Sequence, residues 1–164
     1  MQVFLPYPSF QQSVACLDKK RLGNQIWREC KTLLNGGWPN HPVAKMWVDY
    51  KPALALYGIH GIQELHTRKN IDTTKFCELF SYFGNFIYKE DQWLITMWQP
   101  CALWLKYNPP FIGNSNFHLS HRLNLLWKDP EWYSQFFDEP IPTSKPDYYW
   151  PSPQKIGSEM EPKQ

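Results

Sequence analysis

Three stretches of this 164-residue chain gather side chains able to hold charged, planar or sugar-bearing partners. The first is LDKKRLGNQIWREC. Asp18 is placed to cap a helix, and Leu22, Ile26, Cys30 and Leu33 then fall on one side of it. The other side carries Arg21, Asn24, Gln25, Arg28, Glu29 and Thr32. Lys19 and Lys20 stand in the first turn, where the macrodipole disfavours cations but an anionic partner would be welcome. Two readings stay open: a solvated face with pairs such as Gln25 with Glu29, or a phosphate-binding strip around one working carboxylate. Gly23 inside this helix costs about 1 kcal/mol against Ala, which points to a close approach to its backbone.

The second stretch is NGGWPNHPVAKMW, residues 35–47. Its glycines and prolines force a tight, rigid loop that presents Trp38, Asn40 and His41, with Lys45 just beyond. Such a loop can do no more than pack a Trp into the core, but a ring beside amide and imidazole donors also suits an extruded base. The third stretch is NSNFHLSHRLNLLWKDPEWY, residues 114–133, with His118, Ser120, His121 and Arg122 near a helix start and Lys128 further along. The His-x-x-His spacing lacks a nearby third ligand, so no metal is expected. Phosphate contacts from Ser120, His121, Arg122 and the helix N-terminus fit that spacing better.

The elements that position these groups read as helices. Ser9 followed by Gln12 signals a short helix carrying Val14 and Leu17. The Asp18-capped helix runs to about Asn35, with Gly36 and Gly37 as its stop. Further helices are expected over 41–49 and 52–69, the latter with Leu54, Leu56, Ile59, Ile62 and Leu65 on its core face. The ring-rich segment 74–107 is read as helical. Asn114 or Ser115 caps a helix through Lys128 that contributes Leu123, Leu125 and Leu126 to the core, and Asp129-Pro130 opens another. From Asp138 onward, DEPIPTSKPDYYWPSPQ is expected to run extended over the domain through Tyr148, Tyr149 and Trp150. The expected fold is mostly α: a single compact helical domain over 1–151 with a Pro-rich extended C-terminal tail, disordered over 152–164.

Composition narrows the classes. Lys and Arg number 17 against 15 Asp and Glu, a net charge of +2, so any nucleic-acid binding must come from a local basic patch rather than bulk charge. Aromatic residues make up 17%, enough to supply both a dense core and stacking surfaces. The four cysteines show no C-x-x-C spacing and read as reduced, half-buried small hydrophobes. No apolar run approaches a membrane span and the opening lacks a signal-peptide pattern, so a soluble cytoplasmic protein is expected.

Taken in order, MQVFLPYPSF, LDKKRLGNQIWREC, GWPNHPVAKMW, FHLSHRLNLLWKDPEWY and PDYYWP resemble the pyrimidine-dimer DNA glycosylase (endonuclease V-like) family, and more particularly its bacterial and phage branch. The resemblance runs from residue 1 to about 151. It implies a helical enzyme, without metal or organic cofactor, that acts as a monomer on double-stranded DNA and flips a nucleotide. It also implies cleavage of a damaged pyrimidine's glycosidic bond by the chain's α-amine, here that of Met1, followed by β-elimination. Glu29 is the implied assisting carboxylate, and Arg21 and Gln25 would position sugar and phosphates. Lys19, Lys20, Asn24, Arg28, Trp38, Asn40, His41, Lys45, His118, Ser120, His121, Arg122 and Lys128 are the implied DNA contacts. An α-amine suits the role because its pKa of about 8, against about 10.4 for Lys, leaves more of it neutral and nucleophilic.

Two features depart from the family pattern. Gln2 is bulky, so Met1 is retained, whereas a typical member exposes a small residue after methionine removal. The family's glutamate often stands as in LGKQRVE, while LGNQIWRE places it one residue later. Two other classes of function remain open on the residues alone: a non-catalytic nucleic-acid-binding module, and an N-glycosidase acting on free nucleosides or nucleotides.

Overall fold

A computed structural model of the chain describes residues 2–69, 72–88 and 108–151. It is helical and contains no strand among the described residues. The helices are α1 (Phe10–Ala15), α2 (Lys19–Asn24), a π-helical turn (Gln25–Cys30), α3 (Lys31–Leu34), α4 (Pro42–Trp47), α5 (Lys51–Lys69), α6 (Thr73–Tyr88), α7 (Ser115–Lys128) and α8 (Pro130–Tyr133).

Most boundaries follow from capping chemistry. Ser9 accepts from Gln12 N, Asp18 from Lys20 N and Arg21 N, Asn114 from Phe117 N and Asp129 from Trp132 N, each covering donors that the first turn leaves unpaired. Pro42 and Pro130 sit in the first turns of α4 and α8, where a missing N–H is harmless. The segment expected to be helical over 74–107 is helical through Tyr88, and 89–107 lies outside the described residues.

The long helix α5 is the central post, touching α1, α2, α3, α6 and the π turn. Two glycines permit that packing. A Cβ on Gly61 would lie 2.1 Å from Ile26 Cδ1, and one on Gly58 would lie 2.6 Å from the Phe83 ring, so only hydrogen fits at either place. Gly23, expected to mark a close approach, marks none: a Cβ there would meet nothing within 4 Å. Leu22, Ile26, Cys30 and Leu33 are buried as the spacing predicts, whereas Leu56 and Leu123 are only partly covered. Cys16 and Cys30 are buried thiols, Cys77 is exposed, and Cys101 lies outside the described residues. Residues 138–151 form no helix or strand and lie against the domain, and the tail beyond them is outside the described residues. Tyr148 packs edge-on against His121 and Trp150 against His41, while Tyr149 is 40% exposed.

Candidate active site

Residues 2–5 form no helix or strand, yet they are buried, with Val3 and Leu5 fully covered. A buried backbone must find hydrogen-bond partners, and here side chains provide them. Gln25 Nε2 donates to Gln2 O (2.9 Å) and its Oε1 accepts from Phe4 N (3.1 Å). The Tyr57 hydroxyl lies 3.0 Å from Phe4 O and 3.2 Å from Gln25 Oε1, its hydrogen shared between two acceptors. Two histidines grip the next residue: His121 Nδ1 accepts from Leu5 N (3.2 Å), and His118 Nδ1 faces Leu5 O at 2.8 Å. Gly113 N donates to His118 Nε2, so the His118 hydrogen sits on Nδ1 and points at that carbonyl. Arg122 Nη1 donates to Pro6 O (3.0 Å), and Ser13 Oγ bonds both backbone groups of Tyr7.

This arrangement revises several sequence expectations. Gln25 is 1% exposed, and its amide serves the main chain of residues 2–4 rather than a sugar. His118, Ser120 and His121 are buried, so phosphate contacts from them give way to an inward role. Ser120 Oγ donates to Phe117 O, and Arg122 is held by Glu139 at 2.5 Å as well as by Pro6. Neutral, ring-packed imidazoles that order the irregular N-terminal segment occupy the place where anion contacts were expected. Met1, whose nitrogen is the expected nucleophile, lies outside the described residues.

Glu29 stands on the π turn. A π turn bonds i to i+5 and so takes one residue more than an α turn, and such turns recur at functional sites. Gln2, Phe4, Lys20, Arg21, Asn24, Gln25, Glu29, Trp127, Lys128, Lys145 and Tyr148 line one cleft of about 510 Å³. Gln2, one carboxylate and four basic side chains therefore share one hollow. Glu29 Oε2 is buried there without a hydrogen-bond partner among the described residues. Burial raises the Glu29 pKa, opposed by the positive charges of the chain's α-amino end and of Arg28. Lys128 is pulled below its ordinary value by burial, with Arg21 and Lys145 adding to the effect.

Glu29 also borders a second cleft of about 680 Å³, with Arg28, Trp38, Pro39, Asn40 and His41. A third, of about 720 Å³, is lined by Asp18, Lys19, Lys20, Arg68 and Trp132. Lys20 belongs to both the first and the third, so the basic surface is continuous between them. Arg21 is held at 2.5 Å by Asp18, which the Tyr133 hydroxyl also reaches at 2.7 Å, and this leaves Lys20, Lys128 and Lys145 as the more available cations of the first cleft. Lys45 is exposed on α4 and lines none of these hollows. Gln2, Trp127, Lys145 and Tyr148 are cleft residues that the sequence reading missed. Lys145 sits in the Pro-rich tail, where a lone basic residue among prolines carries no periodic signal.

The inward histidines imply a pH dependence of stability. Burial, and secondarily His118, lowers the His121 pKa to about 3 from an ordinary 6.5, and burial also lowers that of His118. Between pH 6.5 and 3 the unfolded chain therefore binds more protons than the folded one, so stability falls as pH drops through that window. Urea unfolding midpoints are expected to decline steadily below pH 6.5. In His121→Asn, whose amide oxygen can still accept from Leu5 N, the slope is expected to be shallower. An unchanged slope in that variant would assign the acid sensitivity to other groups.

The fold and this hollow describe a helical protein whose buried, irregular N-terminal segment brings Gln2 to the same basic cleft as the Glu29 carboxylate. The family model of pyrimidine dimer DNA glycosylase matches residues 1–79, and that match supports membership of this family of DNA glycosylases. The matched span holds the buried N-terminal segment, the π turn with Glu29 and the Trp38 loop. No curated protein and no solved structure matches the chain. None of the described helices is long and apolar enough to cross a membrane.

Proposed function

We propose that this chain excises a damaged pyrimidine from duplex DNA with its own terminal amine as nucleophile and Glu29 as the assisting carboxylate, and then nicks the strand by β-elimination. The supporting observation is that side chains thread residues 2–5 through the core so that Gln2 and Glu29 line one basic cleft. The neutral amine attacks C1′ of the sugar, the N-glycosidic electron pair leaves with the base, which takes up the proton the amine sheds, and the C1′–O4′ bond then breaks with a proton to O4′ as the nitrogen lone pair closes the C1′=N bond. The resulting iminium sugar is cationic, and a carboxylate beside it opposes that charge. Glu29 then accepts the proton lost from C2′ as the C3′–O bond breaks and expels phosphate. Lys20, Asn24, Lys128 and Lys145 hold the backbone of the cleaved strand, and Lys19 and Arg28 extend that contact. The enzyme works in the cytoplasm as a monomer.

Borohydride reduction during turnover tests this reading. A dimer-containing or abasic duplex is expected to yield a covalent protein–DNA adduct that maps to the first residue. Acetylating the α-amine beforehand is expected to abolish the adduct and strand scission together. Scission at full rate after acetylation would overturn the amine mechanism. Salt-sensitive binding with no nicking of any duplex would instead mark a non-catalytic module.

A further inference from the structure

We propose that Trp127 enters the base stack of the duplex and fills the gap left when the target nucleotide turns out, which makes it a positioning residue for the reaction. The proposal rests on the reading of the basic cleft given above and adds to it the side chain that holds the duplex open. A terminal amine cannot reach C1′ while the nucleotide stays stacked, and turning the nucleotide out sacrifices its contact with both neighbouring bases. A planar side chain placed at the vacated position recovers part of that loss.

Three observations single out Trp127. Five tryptophans are exposed among the described residues, and of these Trp127 alone lines the cleft that holds Gln2, Glu29, Lys128 and Lys145. It is not a core residue: Leu125 and Leu126, just before it on α7, are fully buried, whereas Trp127 is 39% exposed. Among the described residues no second ring packs on it and its indole N–H has no acceptor, while the Lys128 ammonium lies 5.3 Å from its ring centroid. An ammonium against an exposed ring is held more weakly than a base stacked on that ring. Insertion therefore displaces Lys128, whose long side chain then turns to a phosphate, the contact already given to it in this cleft.

The test uses the full-length protein and two duplexes of one sequence, one unmodified and one carrying a single tetrahydrofuran in place of a nucleotide. Tetrahydrofuran leaves a gap in the stack but offers no base to remove and no aldehyde for an amine to trap, so binding is read apart from the chemistry. The parent is expected to bind the tetrahydrofuran duplex about tenfold tighter than the unmodified one, a gain of the size that one base–ring stack supplies. Trp127→Ala is expected to erase that preference, to bind the unmodified duplex within about twofold of the parent, and to melt within about 2 °C of it. Trp127→Phe, which keeps a ring, is expected to retain the preference within about threefold. Lys128→Ala is expected to weaken binding to both duplexes by a similar factor, as loss of a phosphate contact does. A parent without the preference, a preference that survives Trp127→Ala, or an equal loss on both duplexes in that variant would overturn the wedge even if borohydride trapping succeeds. Failure of trapping, with the preference present and lost in Trp127→Ala, would instead strike the amine chemistry and leave the wedge standing.

Discussion

Glu29→Gln is expected to slow single-turnover base removal by about 100- to 10,000-fold, the range that a positioned acid–base group supplies, without unfolding the protein. The structural cost is small because Oε2 makes no hydrogen bond that the substitution would break. Replacing a half-buried carboxylate with a neutral amide also removes the desolvation penalty that raises its pKa. The thermal midpoint is therefore expected to hold or rise while activity collapses. The pH–rate profile gives a second signature. With its pKa raised, ionisation of Glu29 puts the acid limb above the usual carboxylate range, and the variant should lose that limb. The alkaline side should level off only once the α-amine, near pKa ~8, is largely neutral. A variant within threefold of the parent rate would remove this carboxylate from the chemistry.

Gln25→Leu is expected to lower unfolding free energy by about 3–5 kcal/mol, measured by urea titration, since it leaves several buried groups each worth about 1–3 kcal/mol unpaired. The two residues have similar volume, so the loss reports hydrogen bonds rather than a cavity. Phe4 N–H and Gln2 C=O lose their partners, and the Tyr57 hydroxyl loses one of its two acceptors. Against a typical total of about 5–15 kcal/mol this is a large share. Tyr57→Phe removes one donor and should cost less, about 1–2 kcal/mol. The paired variants should fall short of additivity because both residues act on Phe4. In conditions where Gln25→Leu stays folded, its cleavage rate should drop further than its stability predicts, because the segment that begins at Gln2 is no longer fixed. A cost below 1 kcal/mol would mean that water replaces the amide.

The helices were readable because their signals are local. Ser9, Asp18, Asn114 and Asp129 each announce a start within three residues, and the apolar spacing of Leu22, Ile26 and Cys30 names the buried side. Glu29 and the Trp38 loop were marked as candidates on the same local grounds. What escaped detection was the company they keep. Gln25 shares a helix face with charged residues, yet its amide turns inward to the irregular backbone of Gln2 and Phe4. His118 and His121 looked like anion ligands at a helix start, but they satisfy a segment with no regular structure of its own. No periodicity at residues 2–5 discloses that need, because the partners lie as many as 116 positions away.

That reach has a consequence for how the molecule can be divided. The span that carries the family match stops at residue 79, yet the backbone of Leu5 and Pro6 inside it is hydrogen-bonded by His118, His121 and Arg122 beyond it. A fragment cut after residue 79 would carry the whole matched region and still expose an unsatisfied apolar arm. The leading arm therefore depends on the far helix for its backbone partners.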